Sequence, residues 1–183
     1  MMEGGRPTVL VLASGRGERF AASGGGTHKL QALLAGKPVL QHTLDAVAAS
    51  GLPWHLEDVG HPGMGDCIAA AVRATPEASG WLVLPGDLPL VQAATLRAVA
   101  YALARHAVVV PMFKGVRGHP VGFSAACREA LLALTGGLGA AAVVKAHAAL
   151  DAAGFVDVAD EGIVTDIDTL QDLQLAEALL VAR

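Results

Sequence analysis

The sequence contains few cysteines and no long apolar run, and both absences narrow the kind of protein it encodes. Only two cysteines occur in 183 residues, Cys67 and Cys127, far apart and in different local contexts. They give neither a disulfide framework nor a spacing typical of metal ligands, so we expect two free thiols. Glycine, proline or charge interrupts every apolar run well before the roughly 18 residues of a membrane span. No transmembrane helix is therefore predicted.

The amino-terminal segment also lacks the pattern of a secretory signal. Residues 1–15, MMEGGRPTVLVLASG, place an acidic residue before a short apolar run and contain no cleavage-site pattern. We therefore expect a β-strand in this segment and a cytoplasmic location. The length and the 53% hydrophobic composition suit a single domain over residues 1–183, with no repeat and no linker.

The net charge of −4 argues against a nucleic-acid surface, but the charges are unevenly placed. From residue 16 to residue 37, the single acid Glu18 is opposed by four cations: Arg16, Arg19, Lys29 and Lys37. From Asp151 onward, eight acids are opposed only by Arg183. This asymmetry predicts an anionic ligand near the first segment and a cation near the second.

Segments with strand patterns alternate with segments that have helix patterns. Nearly all-apolar runs, typical of strands buried on both faces of a parallel sheet, lie at 8–13, 81–84 and 108–111. The helical patterns lie at 38–50, with proline in the first turn, and at 66–74, 93–106 and 125–134. Alternating strands and helices predict an α/β sheet.

The last stretch, GIVTDIDTLQDLQLAEALL, predicts three consecutive features. The first is a short strand, and the second is a turn capped by Asp168 or Thr169. The third is an amphipathic terminal helix with Leu170, Leu173 and Leu180 facing inward.

The segment VLASGRGERFAASGGGTHKL, residues 11–30, begins where the first strand ends, at the edge where α/β sheets bind ligands. Glycines at 15 and 17 allow backbone N–H groups to approach phosphate oxygens, and nearby cations supply countercharge. Phe20 stands where a dinucleotide-binding loop has its third glycine, and no Gly-Lys-Ser/Thr triplet marks a P-loop. We interpret the segment as a polyphosphate site; a glycine-rich loop without a ligand is the alternative.

Carboxylates follow two predicted strands. Asp87, in WLVLPGDLPLV, is interpreted as a Mg²⁺ ligand. The alternative is that Asp87 caps a helix whose start is indicated by Pro89. Asp166 and Asp168, in VTDIDT, lie two apart on an extended segment and point the same way. Either of them completes the metal site or caps the last helix.

His119 lies in the loop segment RGHPVGF, between a glycine and a proline. This position suits a core histidine poorly, and a loop histidine is usually a surface residue. The neighbouring Arg117 and Gly118 favour a contact with the anionic group of an acceptor substrate.

Together these segments resemble the molybdopterin nucleotidyltransferase superfamily of MobA-like NTP transferases, and most closely the molybdenum cofactor cytidylyltransferases. Six segments carry the resemblance, in the order of the family and over almost the whole chain: LASGRGERF followed by Lys29-Leu30, then GKPVLQHTL, GMGDCIAAAV, LPGDLPLV, GHPVGF and DIDTLQDL. The resemblance implies a three-layer α/β/α, Rossmann-like fold of the nucleotide-diphospho-sugar transferase type, with a mostly parallel sheet.

The resemblance also implies roles for individual residues. Catalysis is assigned to Arg19 and Lys29, which clamp the triphosphate, and to Asp87, which binds Mg²⁺ together with Asp168. Further nucleotide contacts are assigned to Ala13, Ser14, Gly15, Arg16, Gly17 and Cys67. The acceptor contact of His119 is interpreted from its own neighbours and not from the resemblance.

The implied reaction is attack by the terminal phosphate of molybdopterin on the α-phosphorus of CTP. Pyrophosphate leaves, a cytidine dinucleotide cofactor forms, and no enzyme nucleophile is required. A molybdoenzyme or its maturation chaperone would receive the product, and neither nucleic acid nor a membrane is an expected partner.

The sequence departs from the family pattern at several places. Ser14 replaces a residue that is often alanine in cytidylyl members and glycine in guanylyl members, so GTP stays an alternative to CTP. Cys67 replaces a common serine, the loop between Arg19 and Lys29 is longer than usual, and LTGGLGAAAVV lacks the usual acid and arginine.

The segment AASGLPWHLEDVGHPGMGD has room for one short strand where the family has a strand, a helix and another strand. We therefore expect a fold shortened by one strand-helix unit. Without that unit, one edge of the sheet is exposed. Because exposed edges tend to pair with another chain, we predict either a homodimer contact there or a mobile glycine-rich loop. The shortening also supports two alternatives: a non-catalytic protein that binds or inserts the molybdenum cofactor, and a nucleotidyltransferase with a phosphosugar or another phosphorylated acceptor.

Overall fold

A computed structural model describes residues 5–182 of the chain. Arg183 lies outside these residues. So do residues 1–4, which belong to the amino-terminal segment 1–15 that was searched for a signal pattern. The strands are β1 (Thr8–Leu12), β2 (Leu33–Leu34), β3 (Lys37–Pro38), β4 (Trp54–Glu57), β5 (Gly80–Pro85), β6 (Val108–Phe113), β7 (Val116–Arg117), β8 (Val121–Ser124) and β9 (Ala153–Asp157).

Seven α-helices and three 3₁₀ helices are described in the same range. The α-helices are α1 (Glu18–Ala22), α2 (Val39–Ser50), α3 (Met64–Ala74), α4 (Ala93–Ala102), α5 (Arg128–Leu132), α6 (Ala141–Ala149) and α7 (Leu170–Val181). The 3₁₀ helices lie at Lys29–Gln31, Ala125–Cys127 and Glu161–Val164.

The main sheet is mixed and mostly parallel, as predicted. Strands β4, β1, β5, β8 and β6 lie side by side in that order, and both β7 and β9 pair with β6. β1 runs parallel to β4 and β5, and β6 runs parallel to β9, whereas β8 is antiparallel to both of its neighbours. Strands β2 and β3 form a separate antiparallel pair. The carboxyl ends of β1, β4 and β5 therefore meet at one edge of the sheet.

Helices cover both faces of this sheet because side chains alternate along each buried strand. Leu10 of β1 packs in a cluster with residues of α3, α5 and α6, and the adjacent Val11 packs on the other face with residues of α2 and α4. A third cluster joins α1, the 3₁₀ helix at 29–31 and α7 through Phe20, Leu30 and Ala176. The three-layer α/β/α fold is confirmed, and the third cluster holds the glycine-rich loop beside the last helix.

Most of the predicted elements are confirmed within a few residues. Pro38 lies at the cap of α2 rather than inside its first turn, and α4 ends at Ala102, earlier than predicted. The single helix predicted over 125–134 is a 3₁₀ turn followed by the short α5. The sequence patterns did not reveal the short strands β8 and β9 or helix α6. Both cysteines are buried and unpaired, as expected.

The strand predicted before the last helix is wrong. This segment begins with the 3₁₀ helix at 161–164, because an oxygen of Asp160 accepts a hydrogen bond from Gly162 N–H at 3.0 Å and fixes a turn. Thr169 then caps α7: its hydroxyl accepts from Asp172 N–H at 3.2 Å, while Asp172 accepts from Thr169 N–H at 2.7 Å. The Asp168 carboxylate is not used as the cap.

The single strand expected in the segment between α2 and α3 is present as β4. Only residues 58–63 separate this strand from α3, so a single strand occupies the segment. Within residues 5–182, no strand pairs with the outer side of β4. None of the helices in that range is both long and apolar enough to cross a membrane.

Candidate active site

The loop that leaves β1 presents a run of free backbone N–H groups. Ala13 N–H donates to the Glu57 carbonyl oxygen at 2.9 Å, which fixes the start of the loop against β4. The next four N–H groups, those of residues 14–17, donate no hydrogen bond to any atom of the described chain. Gly17 has a φ of 64°, in the left-handed region that favours glycine. Successive unpaired N–H groups of this kind form a concavity that binds anions.

Four of the predicted catalytic and metal-binding residues lie together at this loop. Nζ of Lys29 is 2.5 Å from Oδ2 of Asp87 and 3.0 Å from Oδ1 of Asp168. Nη1 of Arg19 lies 2.6 Å from Oδ2 of Asp168, so the ion pairs form one chain. The structure thus joins the predicted triphosphate clamp to both predicted metal ligands.

Different elements position the residues that form these ion pairs. Lys29 opens the 3₁₀ helix at 29–31, which buried Leu30 holds in the third cluster. Asp87 follows β5, and its carbonyl oxygen accepts from Ile167 N–H at 3.0 Å, which ties its loop to that of Asp168. The side chains of Lys29, Asp87 and Asp168 are largely buried, whereas that of Arg19 is 78% exposed. Arg19 is therefore the one solvent-exposed residue among these four.

The proposal that Asp87 instead caps a helix is wrong. The helix that follows, α4, is capped at Gln92, and it is Asp160 that accepts the hydrogen bond from Gln92 N–H, at 2.9 Å. Asp87 makes its contact with Lys29 from a turn that belongs to no helix.

Charge interactions in the site shift two pKa values. Burial by itself lowers the pKa of Lys29, but the carboxylates of Asp87 and Asp168 outweigh that effect and raise the pKa. Burial, together with the negative charges of Asp87 and Asp168, raises the pKa of Asp166. Lys29 is therefore a firmly held ammonium, and Asp166 lies close enough to sense the same carboxylates.

The acidic residues offer suitable donors for a divalent cation. Oδ1 of Asp87 is buried and has no hydrogen-bond partner among the described residues. Hard cations such as Mg²⁺ prefer carboxylate oxygens and fill their remaining positions with water and phosphate oxygens. No cluster of three or more potential metal ligands is assembled within residues 5–182. The residues present fit a cation held by Asp87 and Asp168 and completed by oxygens from a ligand.

Cys67 lies under the loop, not in it. Its side chain is fully buried, and its Sγ accepts a hydrogen bond from the Ser14 hydroxyl at 3.1 Å. Burial raises the pKa of the thiol, so it stays neutral. The structure therefore gives Cys67 no exposed surface for the predicted nucleotide contact; it contacts Ser14 at the base of the loop.

A buried acid pairs with two histidines beside the same loop. Oε1 of Glu57 lies 2.9 Å from Nε2 of His61, and Oε2 lies 3.2 Å from Nε2 of His55. Burial raises the pKa of Glu57, but the two histidines outweigh that effect and lower it. The sequence analysis did not predict this cluster. It lies at the end of β4, where the Glu57 carbonyl oxygen accepts the hydrogen bond from Ala13 N–H.

A second group of predicted residues lines a cavity of about 670 Å³ on the α3 and α6 side of the sheet. Its walls are mainly apolar, with Met64, Ile68 and Val144 among them, and Arg117, His119 and Lys145 supply the polar groups. Nδ1 of His119 is buried without a hydrogen-bond partner among the described residues, and burial lowers the pKa of this imidazole. The lowered pKa favours the neutral imidazole, and the mostly buried His119 lies in the wall of this cavity rather than on an open surface loop.

His28 belongs to the glycine-rich segment 11–30, but the sequence patterns gave it no role. Nε2 of His28 lies 2.7 Å from the carbonyl oxygen of Gly15. Its position next to Lys29 was the signal that could have identified it.

Comparison with known proteins shows which family the chain is similar to. The model of the MobA-like NTP transferase domain matches residues 44–151, more than half of the chain. Two curated relatives, both described as bifunctional protein GlmU, are 26% identical over 142 residues (Desulfitobacterium hafniense, strain DSM 10664 / DCB-2) and 30% identical over 146 residues (Xanthomonas axonopodis pv. citri, strain 306). The matches cover 66% and 67% of this chain but only 31% and 30% of the relatives, so the chain spans about a third of their length.

Solved structures share the fold over nearly the whole chain. Rv0371c from Mycobacterium tuberculosis H37Rv has a TM-score of 0.78 at 24% identity, covering 94% of this chain and 98% of its own, and its complex with manganese has a TM-score of 0.73 at 24% identity and the same coverage. The nucleotidyl transferase Mth528 from Methanothermobacter thermautotrophicus has a TM-score of 0.78 at 20% identity, covering 98% and 100%. Molybdopterin-guanine dinucleotide biosynthesis protein A from Archaeoglobus fulgidus has a TM-score of 0.63 at 18% identity, covering 96% and 100%.

Proposed function

Because this chain belongs to the family of the MobA-like NTP transferase domain, we propose that it transfers CMP from CTP to the phosphate of molybdopterin and releases pyrophosphate. The general activity, nucleotidyl transfer from an NTP, is that of the family. The base, the acceptor and the metal are our proposals.

The run of free N–H groups at residues 14–17 carries this proposal. These donors directly precede α1, which carries Arg19, and the segment after α1 leads to Lys29. A nucleoside triphosphate is a polyanion that uses both backbone donors and cations.

The chemistry requires positioning and charge neutralisation by the residues of the site. Arg19 and Lys29 would bind phosphate oxygens and stabilise the negative charge that grows on the leaving pyrophosphate. Asp87 and Asp168 would hold Mg²⁺, which supplies further neutralisation of the triphosphate when bound. The raised pKa of Lys29 keeps its ammonium charged throughout. The acceptor phosphate is itself the nucleophile, so no covalent enzyme intermediate is needed.

The cavity beside the loop supports an acceptor with a ring system. Its mainly apolar walls would pack against the faces of a flat ring, while Arg117 and the neutral His119 would bind polar groups at its edge. Molybdopterin combines a ring system with a terminal phosphate. The structural similarity to molybdopterin-guanine dinucleotide biosynthesis protein A agrees with this choice.

A phosphosugar is the second candidate acceptor. The curated relatives are described as bifunctional protein GlmU rather than as proteins of molybdenum cofactor synthesis, and this observation favours a different phosphorylated acceptor. A non-catalytic carrier of the cofactor is the third alternative, supported by the short segment after β4.

The test is pyrophosphate release by the purified protein with Mg²⁺. We expect release with CTP and molybdopterin, less with GTP, and none with a panel of sugar phosphates. Release with a sugar phosphate but not with molybdopterin would reassign the acceptor. Tight binding of molybdopterin with no release from any nucleotide would overturn the catalytic proposal in favour of the carrier.

A further inference from the structure

The imidazole of His28 contacts two backbone groups at once. Its Nδ1 lies 3.3 Å from Leu30 N, and its Nε2 lies 2.7 Å from the carbonyl oxygen of Gly15. The Leu30 N–H is a donor, so Nδ1 must accept and carries no proton. Nε2 then carries the ring proton and donates it to Gly15. These two contacts together fix the tautomer of His28.

This contact also fixes the direction of one peptide group in the glycine-rich loop. In a planar trans peptide, the C=O and the following N–H point in opposite directions. The Gly15 carbonyl points at His28, so the Arg16 N–H points away from it. That N–H is one of the four loop donors without a partner in the described chain.

The surrounding loop is shaped around the same ring. Gly17 has a positive φ, and a Cβ added there would lie 3.4 Å from the imidazole, so the loop passes directly over His28. Nothing lies within 4 Å of the Cβ position of Gly15, which leaves that side of the loop open.

We propose that His28 is a positioning residue of the nucleotide site. It holds the Gly15–Arg16 peptide with its N–H directed toward the phosphates of the nucleotide and its carbonyl oxygen turned away. With the peptide reversed, the carbonyl oxygen would face the phosphates and repel them. His28 thereby couples the loop to Lys29, the next residue in the chain. This inference rests on the proposed function, because it requires that the loop bind phosphates.

Three variants separate the two contacts of His28. His28→Asn keeps an acceptor close to the position of Nδ1 and removes the donor to Gly15. His28→Gln places an amide donor near the position of Nε2, and His28→Ala removes both contacts. The matched control is His42→Asn, because Nε2 of His42 makes the same kind of contact, 2.8 Å to the Leu34 carbonyl oxygen, away from the loop.

The probe is inorganic tripolyphosphate, which has neither a base nor an acceptor, titrated calorimetrically alongside CTP and GTP with Mg²⁺. The net value of one hydrogen bond predicts binding about two- to tenfold weaker for His28→Asn and His28→Ala. The factor should be the same for all three probes, because the Gly15–Arg16 peptide is proposed to contact phosphates rather than the base. His28→Gln should recover most of the affinity, and His42→Asn should bind like the wild type. Thermal unfolding should be unchanged in His28→Asn, since the His28 side chain is exposed.

Wild-type affinity for tripolyphosphate in His28→Asn would overturn the inference and leave the proposed function intact. An equal loss in His42→Asn would do the same, because the effect would then not be local. A wild-type protein that binds neither tripolyphosphate nor any nucleotide would overturn the proposed function and this inference with it.

Discussion

Lys29 and Asp87 are 58 positions apart in the sequence, yet Nζ of Lys29 lies 2.5 Å from Oδ2 of Asp87. The same nitrogen contacts Asp168, so the cation predicted for the triphosphate is the counter-ion of the acids predicted for the metal. Two neighbouring carboxylates repel each other when nothing lies between them. Lys29 relieves this repulsion between Asp87 and Asp168. Under the proposed function, binding of a nucleotide with a divalent cation would replace the contacts of Lys29 with phosphate contacts and leave the two carboxylates to the cation.

Replacing Asp87 with alanine should nearly abolish turnover. The variant loses the carboxylate with the unpartnered buried oxygen, and we expect the rate to fall by at least about a hundredfold. Pyrophosphate release at saturating Mg²⁺ measures the rate, and thermal unfolding verifies the fold. Asp45→Ala, which removes an exposed partner of Lys37, is the control. A folded Asp87→Ala variant with the wild-type rate would limit Asp87 to the role of counter-ion to Lys29.

Arg19→Ala should weaken nucleotide binding with little effect on the fold. The Arg19 side chain is largely exposed, and the ion pair of such a residue usually contributes less than about 1 kcal/mol to the free energy of unfolding. We expect a higher KM for the nucleotide and an unchanged melting temperature. The exposed Arg73 on α3 provides the matched variant, Arg73→Ala. If both variants raise KM equally, the effect comes from net charge and not from a triphosphate clamp.

Ser14→Gly should relax the preference for CTP over GTP. The β-carbon at position 14 is tolerated beside a pyrimidine and crowds the larger purine, and one such contact gives about ten- to two-hundredfold discrimination. Calorimetric titration of both nucleotides with Mg²⁺ measures the ratio. Cys67→Ala, which removes the hydrogen-bond acceptor but keeps the β-carbon of Ser14, should retain the preference. Equal wild-type affinities, or a GTP preference that Ser14→Gly leaves unaltered, would contradict the cytidylyl assignment.

Stability should decrease as the pH falls below neutrality, in part because of His119. Burial lowers the pKa of His119 from its ordinary 6.5, so the folded state binds fewer protons there than the unfolded chain does. The free energy of unfolding therefore falls as the pH drops from above 6.5 toward the depressed pKa. Urea unfolding between pH 5 and 8 (about the range where histidine titrates) should show a smaller slope for His119→Gln. The exposed His106 supplies the control His106→Gln, and identical slopes for wild type and His119→Gln would refute this assignment.

The outer edge of β4 should be protected in solution by a second copy of the chain, or the glycine-rich loop beside it should be mobile. Trp54 on this strand is 46% exposed, and no strand covers its outer side in the described part of the chain. Uncovered edges invite pairing with another chain. Sedimentation velocity, together with amide relaxation of residues 16–29, tests both outcomes. A monomer with a rigid ligand-free loop would contradict the prediction.

Local patterns in the sequence predicted those parts of the fold that depend on neighbours along the chain. The apolar runs of β1, β5 and β6 and the periodicity of α2 and α3 are visible within a few turns or residues of each element. The sequence patterns also pointed to the glycine-rich loop and to acids after strand ends. The patterns failed before α7, where a side chain of Asp160 turns the backbone into a 3₁₀ helix.

The sequence by itself determined that a glycine-rich loop and several carboxylates follow buried strands, since glycine, charge and apolar runs act locally. Only the tertiary structure decided that Lys29 contacts both Asp87 and Asp168, that Cys67 lies beneath the loop, and that His28 orients the Gly15 peptide. Those contacts depend on strand order and on how the third cluster packs α7 against the loop. Strand order is a property of long-range packing, and no local pattern encodes it.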